Sequence, residues 1–110
     1  EIWTVEFPNQ PRDTHTPRPA LVVSIDLRNR LAGDVIVVPL STNLRPLPTH
    51  VLLPAGSGGL RRESMAKCEQ ITTLDKAFLA EGPLGARLSA ELLRRVALAV
   101  RRAIGEVLPA

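Results

Sequence analysis

The sequence predicts one mainly β domain that ends in an α-helix: a compact, barrel-like sheet with the helix packed on it. Three observations lead there. Short runs of alternating or β-branched residues recur from the start of the chain to about position 81, with Pro-, Gly- and Asn-rich segments between them. After Ser89 the apolar period changes from two to steps of three and four. With 110 residues, 45% hydrophobic and 23% charged, the chain has an ordinary globular balance and enough material for one core.

Each element follows from its residues. In residues 2–7, Trp3, Val5 and Phe7 alternate with Thr4 and Glu6, the period of a half-buried strand. Residues 8–17, PNQPRDTHTP, form a loop that is long for so small a domain and therefore a candidate functional loop. RPALVVSI, residues 18–25, reads as a strand buried on both faces. DLRNRLAGD turns the chain into a third strand, residues 34–42, where Pro39 marks an edge or a bulge. After the loop NLRPLP, THVLLP makes a fourth strand and AGSGG, residues 55–59, a glycine turn. Residues 63–75 read as strand broken near Glu69, and a last short strand precedes Pro83. Ser89 N-caps the final helix, and Glu91 suits its positive N-terminal end. Leu92, Leu93, Val96, Val100, Ala103, Ile104 and Val107 share one helix face; Arg94, Arg95, Arg101 and Arg102 share the other.

Composition narrows the function classes. Fourteen Lys and Arg residues against eleven Asp and Glu give a net charge of +3, and only Lys67 and Lys76 are lysines. Arginine suits forked contacts to phosphate, yet a mild excess also fits a merely solvated surface. Aromatics are scarce, with Trp3, Phe7 and Phe78 and no tyrosine, so bases are not held mainly by stacking. Cys68 is alone, which forbids an internal disulfide and favours a reducing, cytoplasmic setting. No signal peptide and no apolar run of membrane-spanning length is visible, so no membrane is expected. No Gly-rich phosphate loop and no Cys/His set of zinc spacing occurs, so neither metal nor cofactor is expected. A small protein so equipped must rely on positioning and charge. RNA cleavage suits that, because the substrate carries its own nucleophile, the 2′-hydroxyl.

Here the chain resembles a known family. RPALVVS (18–24), VIVVPLST (35–42), PTHVLLP (48–54) and above all CEQITTLDKAFL (68–79), in this order between IWTVEF and SAELLRRVALAVRRAIG, look like the MazF/PemK toxins of bacterial toxin–antitoxin systems. The resemblance covers nearly the whole chain. It implies a small SH3-like β-barrel with a C-terminal helix and a homodimer. It further implies a metal-independent endoribonuclease that leaves 2′,3′-cyclic phosphate and 5′-hydroxyl ends on single-stranded RNA. An antitoxin with an acidic C-terminal segment is the implied partner.

The family's catalytic arginine falls on Arg18 of the Arg18-Pro19 pair. Pro19 restricts Arg18 to extended geometry, and a guanidinium there can grip the scissile phosphate. The family's catalytic threonine falls on Ser41, with Thr42 beside it. Neighbours in a strand point to opposite faces, so only one of the two can face Arg18; the resemblance gives the hydroxyl role to Ser41, and Thr42 stays as the alternative or a strand-end cap. Asp13 stands for the family's acidic loop residue. His15 has the chemistry of a proton shuttle near neutrality; the competing reading is a loop histidine in solvent. Gln70 suits a base edge, since an amide both donates and accepts. Arg62, with Arg61, reads as a phosphate contact or a solvated pair, and His50 as structural. The rival reading of the whole chain is a non-catalytic SH3-like module that binds nucleic acid or an acidic peptide; fold alone does not separate the two.

Overall fold

The computed structural model describes residues 1–7 and 17–107. Runs of β-branched residues and leucine form strands β1 (Ile2–Val5), β2 (Arg18–Val22), β3 (Asp34–Ser41), β4 (His50–Leu53), β5 (Ser64–Lys67), β6 (Thr72–Asp75) and β7 (Leu79–Glu81). Helix α1 (Asp26–Leu31) lies between β2 and β3, and helix α2 (Ala90–Ala103) follows β7. All pairings are antiparallel, in the order β4-β5-β3-β2-β1-β7, with β6 also on β3. The outer strands β4 and β7 are not paired with each other among the described residues, so the expected barrel is open in its hydrogen bonding. No described helix is long and apolar enough to cross a membrane.

β3 organises the sheet. One edge pairs with β2. On the other edge, Asp34 to Val37 pair with β6, whereas Leu40 and Ser41 pair with β5. The chain passes from β5 to β6 through a 3-10 turn, Cys68–Gln70, which is the expected break near Glu69. Pro39, with no N–H to offer a ladder, sits in the gap where β3 changes partner.

The single core expected from chain length is divided by the sheet. Because side chains alternate in a strand, Trp3, Val5, Phe7, Ala20, Val22, Val35, Val37 and Leu74 share one face and form the smaller cluster with Phe78 and Leu79. Ile2, Leu21, Val38 and Leu40 point the other way, into a larger cluster with Val51, Leu53, Cys68, Val96 and Ala99. β2 is thus buried on both faces only at Ala20 and Leu21; Val22 and Val23 are half-buried and Ile25 is exposed.

Both helices depart from the sequence reading. The segment expected to be a turn forms α1, which buries none of its residues. Polar contacts hold it instead: Asn29 Nδ2 donates to the Ser24 carbonyl at 3.0 Å, and Arg28 pairs with Asp34 at 2.7 Å. On α2 the buried pair is Val96 and Ala99, with Leu92 and Val100 packed beside them. Ile104 and Val107, expected on the buried face, are 74% and 95% exposed, and Leu93 is also exposed. For Ile104 and Val107 the reason is where the helix stops. Gly105 takes a φ of 94°, and the N–H groups of Gly105 and Glu106 donate back to the Arg102 and Arg101 carbonyls, closing the helix before those side chains reach the core. Ser89 caps the other end as expected, accepting from the Leu92 N–H at 3.2 Å.

Candidate functional site

The site grows from the ends of β2 and β3. Ala20 pairs with Pro39. Two residues further along this antiparallel register, Arg18 stands opposite Ser41, on the same face as Ala20 and Pro39. On the far side of β3, the end of β5 brings Lys67, the 3-10 turn brings Gln70, and the start of β6 brings Thr72. Together with Phe7, Pro39 and Leu40 these residues line an open pocket of about 280 Å³. It is the polar end of the smaller hydrophobic cluster, where the alternating row Val35, Val37, Pro39, Ser41 runs out of aliphatic side chains.

Among the described residues, the charges lining the pocket have one sign. Arg18 and Lys67 are its ionisable lining residues, and neither is in an ion pair among the described residues. Ser41 Oγ accepts the Asn43 N–H at 3.1 Å. That bond fixes the oxygen and leaves the hydroxyl hydrogen free to donate. Gln70 is exposed and offers both a donor and an acceptor. The pocket can therefore hold an anion between two cations and a hydroxyl, with an amide beside it.

Of the residues singled out from the sequence, Arg18, Ser41 and Gln70 meet here. Thr42 lies just past the end of β3, is exposed and does not line the pocket. Arg62 is exposed in the turn before β5 and stands apart from the pocket; Arg61 lines a separate cleft with Gly59, Glu81 and Pro83. Asp13 and His15 lie outside the described residues. Sequence reasoning passed over Lys67 and assigned Thr72 no role of its own. Lys67 is one of only two lysines and directly precedes the family-like stretch, a signal that could have singled it out. His50 stands outside the pocket and holds Glu69 through Nε2 at 3.1 Å.

Burial works against the charge on Glu69. Hydrogen bonds from His50, from its own backbone and from Thr49 outweigh that and hold its carboxyl below the usual range. Burial, with Glu69 adjacent, pushes the Cys68 thiol up to about 11, the behaviour of an inert core cysteine.

Over residues 1–104 the chain matches the family described as PemK-like, MazF-like toxin of type II toxin-antitoxin system. It is 36% identical over 99 residues to Endoribonuclease MazF9 of Mycobacterium tuberculosis, a span of 84% of this chain and 83% of that protein. It is 38% identical over 66 residues to Endoribonuclease EndoA of Bacillus subtilis, 58% of this chain and 57% of that one. A solved mycobacterial endoribonuclease in complex with its cognate antitoxin shares the fold, with a TM-score of 0.78 at 23% identity over 98% of this chain and 94% of that chain. With the family match running through nearly every element described above, the chain belongs to the PemK-like, MazF-like toxins of type II toxin–antitoxin systems.

Proposed function

We propose that this protein is a toxin that cuts single-stranded RNA at specific sequences, without a metal ion, leaving 2′,3′-cyclic phosphate and 5′-hydroxyl ends. The observation that carries this reading is the meeting of Arg18, Lys67, the free hydroxyl hydrogen of Ser41 and the Gln70 amide in one open pocket. The RNA supplies the nucleophile. Its 2′-oxygen attacks the adjacent phosphorus as the 5′-oxygen of the next nucleotide leaves. Negative charge grows on the non-bridging oxygens, and Arg18 and Lys67 offset it while Ser41 donates to one of them. Arg18 does not take the proton from the 2′-hydroxyl, because a guanidinium stays protonated. No described residue lining the pocket is a histidine or an acid. We assign to His15 the removal of the 2′-hydroxyl proton and the delivery of a proton to the leaving 5′-oxygen, with Asp13 in a supporting role; both belong to the run between Phe7 and Arg18 in the sequence. Gln70 reads a neighbouring base edge.

The toxin works in the cytoplasm as a homodimer and is silenced by an antitoxin whose acidic C-terminal segment competes for the cationic pocket. Support for the dimer is the apolar groove of about 380 Å³ along α2, lined by Val23, Ile71, Leu93, Ala97 and Val100. Sedimentation at micromolar concentration should give twice the chain mass, and a monomer would refute the dimer.

The test of the activity is a long RNA incubated with the protein in EDTA. Discrete fragments ending in cyclic phosphate are expected, and binding should weaken steeply with added salt. A strict need for a divalent ion, or 3′-hydroxyl products, would overturn the mechanism. RNA bound but left whole would favour the non-catalytic module.

A further inference from the structure

The turn Cys68–Gln70 places Gln70 in the pocket and follows directly on Lys67. Its own backbone holds it weakly. The Ile71 N–H reaches the Cys68 carbonyl only at 3.4 Å, and no side chain caps the turn. The Cys68 side chain anchors one end of the turn in the larger core cluster, and the polar grip on the rest comes from the start of β4. The Cys68 N–H donates to the Thr49 carbonyl at 3.0 Å. Thr49 Oγ1 donates to Glu69 Oε1 at 3.1 Å, and His50 Nε2 meets Glu69 Oε2 at 3.1 Å. The His50 ring is itself enclosed, with its side chain 4% exposed and Nδ1 lying 2.9 Å from the Arg45 carbonyl oxygen. His50 is also the direct cross-strand partner of Lys67. The ring borders a separate cleft against α2, shared with Pro48, Leu98, Arg95 and Arg102, so it does not touch what the pocket holds.

We propose that His50 is a positioning residue for RNA recognition: acting through Glu69, it fixes the 68–70 turn and so sets where Gln70 stands in the pocket. The inference rests on the ribonuclease reading and deepens it. Affinity and base choice depend on a buried ring that never meets the RNA, because donors on a weakly held turn recognise poorly unless outer partners hold them still. The chemical step, centred on Arg18, Lys67 and Ser41, is left largely alone, because Lys67 is held in β5 by strand pairing and not by the turn.

The experiment uses a short single-stranded RNA containing a site that the unsubstituted protein cuts. One copy carries 2′-O-methyl groups, so that it binds without being cleaved; the other is cleavable. Fluorescence anisotropy reads affinity, cleavage kinetics read KM and kcat, and melting curves confirm folding. His50→Ala and Glu69→Ala should each weaken binding and raise KM by roughly fivefold or more. In both variants kcat should stay within about twofold of the unsubstituted value. The double variant should be no worse than either single one, because both break the same clamp. If His50→Ala does not fold, His50→Gln, which keeps an N–H to offer Glu69, replaces it and should bind less tightly than the unsubstituted protein but more tightly than Glu69→Ala. Unchanged affinity in the folded variants, additive losses, or a fall in kcat at constant KM would overturn the inference. An unsubstituted protein that cuts no RNA would instead overturn the ribonuclease reading, and this inference with it.

Discussion

The two faces of β3 are built from the same strand and end differently. On one face Val38 and Leu40 enter an aliphatic core that α2 seals with Val96 and Ala99. On the other, Val35 and Val37 lie in a smaller cluster, and the next two residues in that row, Pro39 and Ser41, line an open pocket with Arg18. The sealed face is where burial stabilises the fold. The open face is where unpaired polar groups remain available for a ligand. A strand with one covered face can carry a reactive site on the other without exposing the core, so the residues of the two faces should separate cleanly into stability and activity.

The sharpest way to break this comparison is to truncate one residue on each face. Arg18→Ala should lower cleavage by about 100- to 1,000-fold, the loss expected when a donor to developing charge is removed. Its melting temperature should hardly change, since an exposed arginine contributes little to folding. Leu21→Ala, at a fully buried position of the sealed face, should cost about 2–5 kcal/mol in denaturant unfolding. The Leu21 variant's remaining folded fraction should cut RNA at the usual rate. Loss of stability in the first or of specific activity in the second would show that the faces are not independent.

A finer contrast lies within β3 and its end. Ser41→Ala should slow cleavage by about 10- to 100-fold, the worth of one hydrogen bond to a charged group. Thr42→Ala, a change to an exposed neighbour outside the pocket, should alter the rate little. The reverse pattern in single-turnover kinetics would move the active hydroxyl to Thr42.

The smallest expected effect tests how dry the sealed face is. The Cys68 thiol is pushed from 9.0 up to about 11 by burial and by Glu69. The fold therefore holds this proton more tightly than the unfolded chain does. Its contribution is complete below about pH 9 and is lost as pH rises toward about 11, a fall of roughly 2 kcal/mol. Cys68→Ala should remove that alkaline fall while leaving the rest of the profile in place. An unchanged fall in the variant would assign it to other groups.

Much of this was legible in the sequence, and the reasons are local. Period-two alternation and β-branched runs are set by neighbouring residues, so the strands could be read from 2–7, 18–25 and 34–42 to within a few positions. Ser89 with the steps of three and four fixed the start of α2. Arg18, Ser41 and Gln70 were reachable because their motifs lie in short, ordered runs. Helix α1 was not legible: it is short, buries nothing and depends on Arg28 finding Asp34 and Asn29 finding Ser24. The exposure of Ile104 and Val107 was also hidden, because the apolar steps continue past the residue where Gly105 closes the helix.

The sequence by itself determined the class of fold, the order of its elements and the alternation that sends neighbouring side chains to opposite faces, because each depends on contacts between residues close in the chain. Only the tertiary structure decided which of those faces is covered and which polar residues meet on the open one. Arg18 faces Ser41 through the β2–β3 register, and Lys67 and Gln70 join them because β3 exchanges β6 for β5 at Pro39. Register between distant strands is set by the packing of whole faces, and a shift of one residue would turn every one of these side chains away from the pocket.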